Sequence, residues 1–166
     1  MKTFRIAAAL VGGLLLIGGA GPALAQEMAQ PAAAPQRCST TQLQVRLGRV
    51  DAGAGNRNAP LVFTNRSRAA CTLQGYPGLV MFDKQSDALR TRVRRTPGAR
   101  PKVTLKPGGS ARADLHWTVV ETGTETACPG AARLMVIPPD ERAHTEIAFV
   151  VDRVCDQGRL DVTPIK

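Results

Sequence analysis

Between Ala111 and Val119 apolar and polar side chains alternate without a break. Ala111, Ala113, Leu115, Trp117 and Val119 fall on one side, and Arg112, Asp114, His116 and Thr118 on the other. A period of two belongs to a β-strand with one buried face, and it recurs along most of the chain. Leu43, Val45 and Leu47 alternate with Gln42, Gln44 and Arg46, and Leu89, Thr91 and Val93 with Arg90, Arg92 and Arg94. Leu61–Phe63 and Leu79–Phe82 are unbroken apolar runs, as in strands buried more fully, and further strands are predicted at Val103–Leu105, Leu134–Ile137, Ile147–Val151 and Leu160–Val162. The total is about eight or nine short strands with turn residues between them and no helical stripe. The predicted class is all-β: two antiparallel sheets packed face to face as an immunoglobulin-like β-sandwich.

Leu61–Phe82 shows the local grammar. Two buried strands flank a corner that carries Asn65, Ser67, Cys71 and Gly75-Tyr76-Pro77-Gly78. Pro77 presets the backbone for the second position of a turn, and Gly78 is expected to take the positive φ of a type II turn. Asn65-Arg66-Ser67 fits a glycosylation sequon, but the simpler expectation is that the Asn65 side chain satisfies the corner's backbone. The chain holds one Trp, one Tyr and four Phe, so the predicted core is modest and covalent cross-links matter.

The first residues address the compartment. Lys2 and Arg5 precede an apolar run, Ile6–Ile17, and small residues end in Ala23-Leu24-Ala25. This is the pattern of a secretory signal peptide, residues 1–25, cleaved between Ala25 and Gln26; the apolar core is too short and glycine-rich for a membrane span. No cysteine follows it for lipid attachment, and no Arg-Arg pair marks twin-arginine export. Residues 26–37, rich in Ala, Pro and Gln, read as a flexible tether, and residues 38–166 as one domain. Cleavage would remove two of the 22 basic residues and none of the 13 acidic ones, leaving a net charge of +7 in place of +9.

Four cysteines in an exported chain point to two disulfides, with three possible connectivities. None of the four stands in a C-x-x-C spacing. If Leu43–Leu47 and Leu61–Asn65 fold as a hairpin around Asp51–Asn58, with paired residue numbers summing to 109, Cys38 meets Cys71. If Leu134–Ile137 and Glu146–Phe149 fold about Pro139–Arg142, with a sum of 283, Cys128 meets Cys155. These two pairs are the favoured bridges, each contributing roughly 3–4 kcal/mol by loop-closure entropy.

The motifs around these cysteines resemble a known family. Cys38, then Leu61-x-Phe63-Thr64-Asn65, then Cys71-Thr72-Leu73-x-Gly75-Tyr76-Pro77-Gly78-Leu79 are similar to the domain of unknown function 4232. So are Leu105-x-Pro107-Gly108-x-Ser110-Ala111 leading to Leu115-x-Trp117, and the late Cys128 and Cys155. The resemblance covers Cys38 to about Ile165. It implies an exported β-sandwich of the kind found mainly in exported proteins and lipoproteins of actinobacteria, and it brings no activity and no site residues.

The chemistry-bearing residues form no motif. His116 and His144 are 28 positions apart, which matches no zinc spacing, and each reads as a solvated strand side chain. Ser67 and Ser110 have no nucleophile elbow around them. Asp83, Asp87, Asp114, Glu121, Glu125, Asp140 and Glu141 are scattered, so a secreted hydrolase is left as the alternative only if two carboxylates converge in space. No phosphate loop, cofactor motif or metal-ligand set is present, and no cofactor is expected.

Positive charge stands above background. Arg90, Arg92, Arg94, Arg95, Arg100, Lys102 and Lys106 follow one another with no acid between. At strand spacing Arg90, Arg92 and Arg94 would share a face. Such a stripe suits an anionic envelope polymer or another exported protein, and equally an edge strand whose charges discourage aggregation. Nucleic acid fits poorly, since no aromatic residues interleave the stripe to stack bases. The expected function is therefore an exported, non-enzymatic binding module of the cell envelope, with Arg90, Arg92, Arg94, Arg95, Arg100 and Lys102 as its anion-contact surface.

Overall fold

A computed structural model describes residues 34–166; the predicted signal peptide and residues 26–33 of the predicted tether lie outside them. The described chain is all-β. Eight strands have four residues or more: β2 (Leu43–Leu47), β4 (Asn56–Asn65), β6 (Gly78–Phe82), β7 (Arg92–Arg95), β9 (Ser110–Thr118), β10 (Ala131–Ile137), β11 (Thr145–Val151) and β12 (Arg159–Val162). Four shorter ones join them: β1 (Gln36–Arg37), β3 (Asp51–Gly53), β5 (Cys71–Leu73) and β8 (Val103–Leu105). No helix among the described residues is long and apolar enough to cross a membrane.

The strands form three sheets, not the two expected. The largest has the order β2-β4-β9-β12-β7, with β3 also on β4; the others are β11-β10-β6 and β1-β5-β8. Most neighbours are antiparallel, but β1 with β5 and β12 with β7 are parallel. The extra sheet is built on β5, which pairs antiparallel with β8, and Gln36–Arg37, assigned to the tether by composition, add a third strand by pairing with Cys71-Thr72 beside the first disulfide. Trp117 of β9 meets Phe149 of β11 edge-on, with ring centroids 5.2 Å apart, so the two larger sheets share one core. The predicted alternation of β9 holds, with Ala111, Ala113, Leu115 and Trp117 all buried.

The bridges are Cys38–Cys71 and Cys128–Cys155, as the hairpin count predicts, yet neither hairpin keeps the predicted register throughout. At the tip, β3 and β4 do pair with numbers summing to 109, around Ala54-Gly55 with φ of 39° and 81°. Positive φ at both central residues marks the tight turn that suits a hairpin's twist. Between β2 and β4 the sum is 108. The slip falls where Gly48-Arg49-Val50 lie across from Ala59-Pro60, one extra residue on the first strand. A bulge is where a strand tolerates proline, and the Gly48 amide donates to the Pro60 carbonyl at 2.7 Å. A Cβ on Gly48 would lie 2.5 Å from the Pro60 ring. In the second hairpin the sum is 281, rising to 282 across a bulge between Ala131 and Arg133.

The corner after β4 behaves as expected of Asn65. Its side chain is fully buried. Its Nδ2 donates to the carbonyls of Ala69 (2.8 Å) and Leu105 (3.0 Å), and its Oδ1 accepts from Ser67 N–H (2.9 Å) and Oγ–H (2.7 Å). An amide so enclosed leaves no room for a glycan. The positive φ of the next turn belongs to Gly75 (103°) and not to Gly78, which instead opens β6 with Ile137 Cβ 3.3 Å from where its own Cβ would stand.

Candidate anion-contact surface

The arginine run is shorter as a strand than its alternation predicts. Only Arg92–Arg95 form β7, while Arg90 lies outside it, so Arg90, Arg92 and Arg94 do not share one strand face. All four β7 residues are exposed, and β7 is an edge, paired on one side only, with β12. The register sets Arg92 against Arg159 and Arg94 against Asp161.

Arg92 and Arg94 already face acids. Arg94 Nε donates to Asp161 Oδ1 at 2.7 Å, and Arg92 Nη1 lies 3.4 Å from Asp156 Oδ1. Asp161 is only 6% exposed, and a carboxylate that deep needs compensation. It receives it from Arg94, from Arg159 Nη2 (3.3 Å) and from His116 Nδ1 (3.2 Å). Arg159 also pairs with Asp156. The other ring nitrogen of His116 faces Asn56 Oδ1 at 3.0 Å, so both of its nitrogens meet oxygen acceptors and neither is open to a metal ion. His144 is exposed just before β11.

The remaining cations of the run have no ion-pair partner among the described residues. Arg95 turns to the opposite face and lies over the Tyr76 ring at 5.4 Å, while the Tyr76 hydroxyl donates to the Thr96 carbonyl. Arg90 is exposed, and its carbonyl abuts Gly158, where a Cβ would come within 2.0 Å. Arg100 accepts a hydrogen bond on its carbonyl from Gln74 Nε2 at 2.9 Å and lines a shallow depression with Gly75 and Asp140; Lys102 and Lys106 are exposed. The six predicted contact residues thus do not converge. Two are matched by carboxylates; of the four without an ion pair, Arg95 is on β7, and Arg90, Arg100 and Lys102 lie in the segments flanking it.

The acids are spread as well. Asp83 caps the turn at Gln85 and Asp87, Asp114 pairs with Arg112 and Lys166, and Glu121 with Arg153. Glu141 meets Arg37 and Thr40, and Asp87 and Asp140 are exposed. Glu125 accepts from the backbone N–H groups of Asp156 (2.8 Å) and Gln157 (3.0 Å). The Gln157 amide does most to hold its carboxyl below the usual glutamate range; burial opposes it, and the Asp156 and Thr122 amides add lesser lowering effects. The Asp156 and Gln157 amides belong to a four-residue turn, Cys155–Gly158, in which both residues take left-handed φ values, 53° and 56°. Glu125, Cys128 and Cys155 come close enough to resemble a metal site, but both sulfurs are spent in the disulfide.

Asp156, Arg159 and Asp161, which organise this face, carry no sequence motif. The one local signal is an acid set between Leu160 and Val162 in a buried strand. Fold and edge together define a disulfide-bridged all-β domain with a basic sheet margin. Residues 38–166 match the family described as Domain of unknown function (DUF4232), and the chain belongs to that family. No curated protein and no solved structure matches it.

Proposed function

We propose that the protein is an exported, non-enzymatic binding module of the cell envelope that holds an anionic partner along the β7 margin. The signal-like leader and the two disulfides support export. An immunoglobulin-like arrangement of the two larger sheets belongs to the same proposal, supported by the core they share through Trp117 and Phe149. The observation that carries the binding role is the division of the arginine run: Arg90, Arg95, Arg100 and Lys102 have no carboxylate, so their charge is available to a partner.

Arg92 and Arg94 act as spacers whose partners fix the strand. Association through such a surface is electrostatic and falls steeply with salt. The test is binding of the domain to poly(glycerol phosphate), followed at increasing salt. Affinity should fall about ten-fold or more between about 50 and about 200 mM salt. Replacing Arg90, Arg95, Arg100 and Lys102 together with Ser should abolish it without unfolding the domain, and Arg92→Ser with Arg94→Ser should weaken it less. Binding that ignores salt, or a four-Ser variant that binds as the parent and only aggregates more, would assign the charges to protecting a sheet edge.

A further inference from the structure

The two larger sheets part around a half-open cleft of about 400 Å³ that none of the six margin residues lines. Trp117 and Val119 from one side and Val150 and Val151 from the other give it apolar walls, and Arg57 and Arg153 bring guanidinium groups. Trp117 is 1% exposed, and its Nε1–H finds no acceptor among the described residues. Buried indole N–H groups ordinarily have a partner, so a cleft residue without one points to an acceptor supplied from outside the chain.

The charges specify that acceptor further. Arg57 stands directly opposite Trp117 in the ladder, on the inward-facing side of β4, and is half-buried. It donates only to the neighbouring Asn56 carbonyl and has no carboxylate partner among the described residues. Arg153 lies a loose 3.5 Å from Glu121. Asp152 is the single acid in the lining, so cations outnumber it. At the mouth, Val50 is 39% and Val150 77% exposed, an apolar rim for a ligand to cover.

We infer that this cleft is a binding site for a small amphiphilic monocarboxylate, its apolar body against Val119, Val150 and Val151 and its carboxylate taken by Arg57 and the Trp117 indole N–H opposite it. At the roughly 30 Å³ that a water-sized group occupies in a liquid, the space admits about a dozen non-hydrogen atoms. Octanoate is of that size. The site is separate from the arginine margin and does not depend on it.

Trp117 is the only tryptophan, so its indole N–H gives a single resonance that reports on the cleft. Titration of the full domain with octanoate should move that resonance in a saturable way. Octylammonium should leave it in place, and octanol should act only weakly. Arg57→Ser should raise the dissociation constant about ten-fold or more, the loss expected of a charge-assisted bond. Val150→Asp, a change at an exposed position that spares the core, should abolish the response while the thermal midpoint stays put. No movement of the indole resonance at any soluble octanoate concentration would overturn the inference. An equal response to octanoate and octylammonium would also overturn it, leaving a nonspecific apolar patch, as would an unchanged affinity in both variants.

Discussion

The two disulfide ends of the domain are closed by different chemistry. At one end Cys38 and Cys71 are both buried beside Asn65, whose neutral amide makes four hydrogen bonds in the corner. At the other, Cys155 is buried but Cys128 is only half so, and the adjoining turn is held by the ionised carboxylate of Glu125. Cross-links closing loops of 33 and 27 residues constrain the unfolded chain almost equally. What distinguishes the ends is the non-covalent lock beside each bridge. An amide lock is indifferent to pH, and a carboxylate lock is not.

The largest break in this comparison should come from Asn65→Ala. It leaves the buried Leu105 carbonyl without this donor and strips the Ser67 amide of its acceptor, and we expect a loss of about 3 kcal/mol by denaturant unfolding. A loss under about 1 kcal/mol would mean that water replaces the amide and that the corner is not a true lock.

Gly158→Ala should follow, at about 2 kcal/mol. The residue has a φ of 74°, and a Cβ would collide with the Arg90 carbonyl at 2.0 Å. Calorimetry of the variant checks this, and unchanged stability would show that the Arg90 segment yields freely.

The smallest effect at neutral pH should be that of Glu125→Gln, which sharpens the contrast instead of breaking it. Folding lowers the Glu125 pKa, so the unfolded chain takes up the proton first on acidification. The stabilisation is therefore complete above the usual glutamate value of about 4.3 and disappears as pH falls through the lower folded value. Amide exchange at Asp156 and Gln157 should accelerate over that acidic range in the parent, relative to the intrinsic rate, and should lose this pH dependence in the variant. Protection at Ser67 should stay constant in both. An acid-induced loss of protection that is the same in parent and variant would remove Glu125 from the account.

Local features of this fold were the legible ones. The inward residues of β9 and the Asn65 corner follow from alternation and turn chemistry over short spans, and both cysteine pairs form as expected although neither hairpin keeps throughout the count that suggested them. The margin was harder because its pairing is long-range. Arg94 finds Asp161 across 67 positions, in a parallel contact that no hairpin count predicts. Leu89-Arg90 read as the start of a strand because alternation alone cannot tell a strand from an extended approach to one. The cleft did leave a trace: Arg57 is in phase with Ala59, Leu61 and Phe63, an arginine on the side of β4 that faces the core.

Gly48 and Pro60 carry a consequence for how the largest sheet keeps count. Zipping from Ala54-Gly55 in one uninterrupted sequence would bring Val45 alongside Thr64 and Leu43 alongside Arg66. The single extra residue resets the tally, so that Val45 arrives at Phe63 and Leu47 at Leu61. A glycine with no side chain to obstruct the proline ring is what allows that one-notch correction, and two half-buried residues thereby decide which half of a whole strand sees water.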